Sequence, residues 1–314
     1  MNQFTENQHT VSNCYLKTFG SDLWIFDKSS MSWHQKKKST KKISVLSNYY
    51  EHPALPPNDI EIFLSKIENE WSIKGRNKLL SNIKNNNYIL TNEDKEIWAK
   101  FMWVQSAKVP NSLYDTNKLF SLMSNLINKS GSSELIDCYK SDTFDVKKIN
   151  LSIIKDVDSE YPKLIDLFYW MILKTSDSMH KFFTSDNPVI TISPDLRYKN
   201  YIIPEAKKFF VISPDVCIFL VMKHEANDYF KFCENKIKTT NYKSIQSINE
   251  LHIRNSFKEI YVSTTRQKKF IDSYISTKQS DISKPEIVLK FDKDIYGNEI
   301  VRSKREWKRK NLLT

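Results

Sequence analysis

Glycine is almost missing from this chain: four occur in 314 residues, Gly20, Gly75, Gly131 and Gly297, and no two are close together. A phosphate-cradling loop of the Walker or dinucleotide type needs several close-set residues without a Cβ, so such loops are excluded. Cysteine is equally sparse. Cys14, Cys138, Cys217 and Cys233 are scattered and form no C-x-x-C pair. That spacing argues against a structural zinc site, and a disulfide framework is not expected in so long a chain. The histidines at positions 9, 34, 52, 180, 224 and 252 show no metal-ligand spacing. Neither a nucleophile elbow (G-x-S-x-G) nor H-E-x-x-H occurs. Long apolar runs are absent too; a membrane-crossing helix needs about 18 such residues, so no membrane partner is expected. The stretch Met1–Gln8 has no basic or apolar region of the signal-peptide kind, and a cytoplasmic location is the expectation.

What is present is the composition of a soluble globular protein, 40% hydrophobic and 27% charged, long enough to bury a sizeable core. The formal charge of +11 points to a polyanionic partner, DNA or RNA first. Against that, only seven of the basic residues are Arg, and Asn and Ile are abundant. An A+T-rich coding sequence produces the same bias, with lysines that only meet solvent.

Along the chain, residues 8–20 read as a short helix or turn-rich entry segment. Leu23–Asp27 and Ser32–Lys36 read as a hairpin, followed by the lysine clusters 36–38 and 41–42. A helix starts near Asn58 or Asp59, with Ile60, Phe63, Leu64 and Ile67 on one face and Glu61, Glu68 and Glu70 off it. Thr91-Asn92-Glu93-Asp94 resembles a capping box opening a helix that Pro110 ends. Helical patterns follow over 112–129 and 160–176, the latter with Trp170 in a central position. Strands are expected at 181–184, 188–192, 208–213, 216–222, 260–263 and 286–291. Helices are expected at 224–238, 242–256 and 264–277. The fold class is therefore α+β, a mixed or antiparallel sheet mostly from the C-terminal half packed with a helical middle region. No repeat and no clear linker interrupts it. The expected organisation is one domain over 1–314, with a helical insert at about 58–176 and a basic C-terminal tail at about 302–314.

Within the strand-rich half, Phe182 to Ile190 reads as strand, tight turn, strand, with Asp186 and Asn187 at the tip. Asp, Asn and Pro188 are turn formers. The turn either aims a carboxylate into a cleft or caps its own backbone.

Several segments together resemble a bacterial family catalogued as DUF4238. Gln8-His9-Thr10-Val11-Ser12-Asn13-Cys14-Tyr15-Leu16-Lys17-Thr18-Phe19 is similar to its opening motif, usually Gln-His-Tyr-Val-Pro-x-x-Tyr-Leu-Arg-x-Phe. Leu23–Lys28, Tyr49-Tyr50-Glu51 and Ile67-Glu68 follow in the family's order. Phe183-Thr184-Ser185-Asp186-Asn187-Pro188 matches the central signature. Ile212–Asp215, Ile248–Leu251 and Tyr261–Ser263 match later segments. The chain departs from the pattern at Ser12, in place of Pro, and at Ala107-Lys108-Val109-Pro110, where Arg-Thr-Pro is usual. A ligand-binding role of that Arg would here fall to Lys108. The resemblance carries no reaction with it.

The candidate chemistry follows from residue type. His9, beside polar neighbours, suits general acid–base work near neutral pH; its other use is to pin the N-terminus through backbone hydrogen bonds. Asp186 suits a metal ligand or orienting carboxylate, with Mg2+ the cofactor in view. Asn187 and Asn249 are positioning groups in the same catalytic set, and Gln105 and Lys108 are candidate substrate contacts. Glu51 and Glu68 stand behind them. Pro194-Asp195 with Glu205-Ala206-Lys207 fits the PD-(D/E)xK nuclease pattern loosely, though Pro204 suits a central strand poorly. Arg305 could meet phosphate and Trp307 could stack on a base, unless the tail is only a basic surface. The leading expectation is a nucleic-acid-processing enzyme, a nuclease-like effector in phage defence or a toxin-like role. The alternatives are a non-enzymatic nucleic-acid-binding or regulatory module, and an enzyme acting on a small nucleotide-like ligand.

Overall fold

A computed structural model describes residues 5–84, 88–130, 145–176, 179–192, 197–198, 201–202, 206–278, 286–293 and 299–306. Of 124–130, 197–198, 201–202, 225, 286–293 and 299–306 only the backbone is described. The fold is α+β, as the sequence pattern implies.

The N-terminal part comprises β1 (Asn7–His9), α1 (Asn13–Leu16), β2 (Asp22–Asp27), β3 (Ser32–Trp33), β4 (Lys38–Ser39) and β5 (Val45–Ser47). Residues 7–9 are thus a strand, antiparallel to β5, and only the following turn is helical. The helical layer follows: α2 (Asp59–Glu70), α3 (Asn77–Asn82), α4 (Asn92–Ala107), α5 (Pro110–Ser130), α6 (Val146–Lys155) and α7 (Val157–Leu167). A π-helical turn over Trp71–Arg76 joins α2 to α3. The expected capping box is present at α4, where the Thr91 hydroxyl accepts from Asp94 N–H and the Asp94 carboxylate accepts from Thr91 N–H. Pro110 does more than end that helix. It opens α5, where its missing N–H costs nothing.

The remaining elements are β6 (Phe168–Thr175), β7 (Thr184–Ser185), β8 (Val189–Ile192), β9 (Arg197–Tyr198), β10 (Tyr201–Ile202), β11 (Lys207–Ser213), β12 (Val216–Met222), α8 (Asp228–Phe232), β13 (Ile237–Thr240), α9 (Tyr242–Asn255), β14 (Glu259–Val262), α10 (Thr265–Lys278), β15 (Glu286–Lys293) and β16 (Glu299–Glu306). A five-stranded sheet has the order β13-β6-β12-β11-β8, antiparallel except that β13 runs parallel to β6. A second sheet, β3-β2-β14-β7 with β4 also on β2, brings the N-terminal hairpin against the C-terminal half. β15 and β16 form a hairpin that takes in residues 302–306 of the stretch expected as a tail.

Two segments differ from the sequence expectation. The helix expected over 160–176 stops at Leu167, and Phe168–Thr175 is a strand paired with β12 along its length. A fully buried apolar run satisfies helical and extended spacing alike, and aromatic and branched side chains favour the pleated form. Trp170 is central as expected, fully buried with its indole N–H on Leu164 O at 2.8 Å. The helix expected over 224–238 reduces to α8. Asn227 caps its start, Asn235 turns the chain at φ 62°, and Ile237-Lys238-Thr239-Thr240, with three β-branched residues, continues as β13.

Aromatic stacking joins the layers. Trp71 lies flat on Phe101 at 3.9 Å between ring centres, and Tyr15 stacks on Phe210 at 5.2 Å. The buried Tyr15 hydroxyl donates to Val211 O at 2.6 Å and meets Thr184 Oγ1 at 2.7 Å. One side chain of α1 therefore ties both sheets and also packs against Phe101 of the helical layer.

Candidate functional site

Residues from four separate segments converge beside α1. Period-two alternation turns Gln8 inward from β1. Its amide oxygen accepts from Tyr50 N–H at 2.6 Å and its amide nitrogen donates to Glu51 Oε1 at 2.9 Å. Ser12, at the start of α1, lies at the centre of the group. Its hydroxyl donates to Glu68 Oε1 at 2.5 Å and accepts from Gln105 Nε2 at 2.5 Å and Lys108 Nζ at 2.8 Å. One donor and two acceptor positions are thereby filled. Lys108, with no exposed surface, also donates to Glu68 Oε1 at 2.6 Å. A buried ammonium is tolerated only when paired in this way.

His9 lies against the same group. Burial pushes its imidazole below the ordinary value and the Lys108 charge adds to that, while Glu68 and hydrogen bonds to the backbone of Thr40 and Lys41 oppose. The ring is therefore neutral near pH 7, and its Nε2 is buried without a hydrogen-bond partner. Burial raises the Glu61 carboxyl; Lys108 opposes, and Glu68 and Glu51 add to the rise. Burial likewise pushes the Cys14 thiol up to about 12, which rules out a thiolate nucleophile there at neutral pH. The assembly thus holds a neutral imidazole, a buried lysine and the carboxyl side chains of Glu51, Glu61 and Glu68.

Asp186, Asn187 and Asn249 belong to a different group. The Asp186 carboxylate accepts from three consecutive backbone N–H groups, Phe257 at 2.8 Å, Lys258 at 2.6 Å and Glu259 at 2.8 Å. Its burial outweighs those bonds and raises its pKa to about 6. Lys28, brought down to about 8 by burial and held up in part by Asp186, closes the end of α9 by donating to Ile253 O and Ser256 O at 2.9 Å each. Asn187 Nδ2 donates to Asn255 O at 3.1 Å. Asn249 accepts from Phe183 N–H at 3.1 Å and donates to Lys181 O at 3.0 Å. All three side chains bind main chain: Asp186 and Asn187 lock the turn between β7 and β8 to the end of α9 and its connection to β14, and Asn249 ties α9 to the segment entering β7. Ser185 Oγ lies 3.3 Å from Nδ1 of the fully buried His252.

Among the described residues, no hydrogen bond or ion pair joins His9 directly to Asp186, Asn187 or Asn249. A chain of contacts links residues next to the two groups instead. Thr10 N–H donates to Ser44 O at 2.8 Å, Ser44 Oγ meets the Tyr261 hydroxyl at 2.5 Å, and Tyr261 donates to Glu259 Oε2 at 2.9 Å. The Lys108 group unites His9, Gln105 and Lys108 with Glu51 and Glu68. It adds Ser12 and Glu61, which the sequence reading had not placed in a site. Glu61 and Glu68 are seven residues apart on α2, two turns and hence one face, a spacing that carried the signal.

No group of three or more His, Cys, Asp or Glu side chains suited to a metal exists among the described residues. Both Asp186 oxygens take backbone donors, and Glu68 Oε1 takes Ser12 and Lys108. These residues do not assemble an Mg2+ site. Arg305 is described only as backbone in β16, and Trp307, Pro194, Asp195 and Glu205 lie outside the described residues. Lys207 pairs with Ile192 and Val221 in the five-stranded sheet.

Among the described residues no helix is long and apolar enough to cross a membrane. A family model described as "Protein of unknown function (DUF4238)" matches residues 7–266 of the 314, and the chain belongs to that family. The match takes in both groups of residues. No curated protein and no solved structure matches the chain.

Proposed function

We propose that this member of the DUF4238 family is a hydrolytic enzyme acting on nucleic acid, with the Lys108 group as its catalytic centre. The observation that carries the reading is the convergence of His9, Glu68 and Lys108 from three separate elements. Neutral at working pH and with a free Nε2, His9 serves as the general base that takes a proton from water. Burial, with the Lys108 charge adding to it, keeps the imidazole unprotonated, and the 2.6 Å bond from Lys108 holds Glu68 in place. Glu61, its carboxyl raised by burial, serves as the proton donor to the leaving oxygen. The net charge of +11 favours a phosphate-rich substrate, DNA or RNA. A cytoplasmic nuclease with a role in phage defence, or a toxin-like one, belongs to the same proposal.

One observation favours a second reading, a binding or regulatory module. Lys108 has no exposed surface, so it reaches a ligand only through Glu68 or Ser12. The test is incubation of the pure protein with end-labelled RNA and DNA, with and without Mg2+. We expect cleavage by the wild type and losses of about 100-fold or more in His9→Gln and Glu68→Gln at unchanged fold by circular dichroism. Cleavage that persists in both folded variants sinks the catalytic assignment. Tight binding without cleavage selects the second reading.

A further inference from the structure

We propose that the cavity between α9 and α10 is a binding site for a small organic anion with an aromatic or aliphatic body. It has a volume of about 290 Å³ and shares no described lining residue with the Lys108 group. That size is at the low end for small-molecule pockets, which start at about 300 Å³.

Its walls divide by chemistry. Phe183 and Ile245, both buried, and Phe270 form the apolar side, with the two phenyl rings 6.2 Å apart between centres. The amides of Asn249 and Gln267 also line it, but their polar atoms are committed to main chain. Asn249 binds Phe183 N–H and Lys181 O, and Gln267 donates to Phe182 O at 2.8 Å while its oxygen accepts from Ser263 and Thr264 N–H. The turn signature and its two amide latches therefore build a rigid, mostly apolar wall.

The charged part of the lining is cationic. Arg266 and Lys269 are three residues apart on α10 and so share one face. Neither is paired with a carboxylate among the described residues. The Arg266 guanidinium donates instead to His180 Nε2 at 3.3 Å, an orientation that fixes the fork but leaves its charge uncompensated. Lys181, also in the lining, already has Asp215 as its ion-pair partner. No Asp or Glu occurs among the described lining residues. An apolar wall beside two cations that have no carboxylate partner fits neither a neutral hydrophobe nor a bare anion as well as it fits a molecule that is both. Arg presents a planar fork matched to carboxylate or phosphate oxygens.

The probe is phenyl phosphate, with binding followed by ligand-observed NMR titration on the full chain. We expect saturable binding, about tenfold tighter than that of inorganic phosphate or benzyl alcohol alone. The Arg266→Ala/Lys269→Ala double variant, altered only at exposed positions, should lose about tenfold or more. Ser273→Phe, which fills the cavity from its lining, should also compete with the probe. Equal affinity for inorganic phosphate and phenyl phosphate overturns the proposal in favour of a simple charged surface. Unchanged binding in both variants, or no saturation, overturns it outright. His9→Gln serves as the control that keeps this test separate from the catalytic reading, since it should bind the probe as the wild type does.

Discussion

Lys108 Nζ lies 2.8 Å from Ser12 Oγ, so two of the positions at which the chain departs from the motifs it resembles are in direct contact. Where those motifs have Pro and Arg, this chain has a hydroxyl and an ammonium. The two groups bind each other, and Gln105 and Glu68 close the network around the serine hydroxyl. The backbone at Ser12 has φ −55°, which a proline ring accommodates. Ser12→Pro therefore fits the chain path but removes the hydroxyl and the N–H donated to Gln105 at 3.3 Å. We expect a loss of about 1–3 kcal/mol, the cost of leaving buried partners unsatisfied. In a Lys108→Arg background the guanidinium reaches into the vacated space and pairs with Glu68 through two bonds. Urea denaturation of the four proteins should give a favourable coupling of about 1 kcal/mol or more. Strictly additive losses would show that the two positions act independently.

Asp186→Ala tests the turn in the same currency. Three consecutive backbone N–H groups lose their acceptor in an interior that admits no replacement. We expect a loss of about 3 kcal/mol or more and a fall in Tm, with Asp186→Asn, which keeps one acceptor oxygen, roughly half as costly. At a temperature where the variants stay folded, cleavage of nucleic acid should match the wild type. Normal melting with lost cleavage is the contrary result, and it would move Asp186 into the chemistry.

Much of the architecture was legible in the sequence. The N-terminal hairpin, the Thr91–Asp94 cap, the β11–β12 pair and the helices α9 and α10 all stand close to their expected bounds. The failures have a common cause. At Phe168–Thr175 a largely buried apolar run satisfies two periods at once, at Ile237–Thr240 four residues are too few to show a period, and in both only pairing with a distant strand decides. The site was legible by residue and not by grouping. His9, Gln105 and Lys108 stood out as candidates by residue type or motif, and Glu51 and Glu68 stood behind them as residues in the family's order. Nothing in one sequence reports that Asp186 faces the α9–β14 backbone while His9 faces Lys108, because both depend on contacts between residues far apart in the chain.

Gly75→Ala sets helix propensity against packing. In open solvent the change would stabilise a helical residue by about 1 kcal/mol. Here the added methyl would meet Ile97 Cγ2 at 3.0 Å and Trp71 Cδ1 at 3.1 Å. Both neighbours are buried, and Trp71 is pinned by its stack on Phe101. Overpacking should win, for a net loss of about 1–2 kcal/mol in chemical denaturation. A more stable variant would mean that the π-helical turn relaxes to accept the methyl.

His252 should make the fold acid-labile. Its imidazole has no exposed surface, its Nε2 has no partner, and burial brings its pKa from 6.5 down to about 3. The folded-state value lies below the unfolded one. Its contribution to stability is therefore complete above pH 6.5 and is lost as pH falls toward 3, because only the unfolded chain takes up the proton in that window. The slope from this one group is at most about 1.4 kcal/mol per pH unit. His252→Gln keeps a side chain able to meet the Ser185 hydroxyl and removes the titration. Urea melts between pH 4 and pH 6 should then show a shallower fall for the variant, with proton uptake on unfolding reduced by about one. Parallel pH curves for the two proteins would place the acid sensitivity elsewhere.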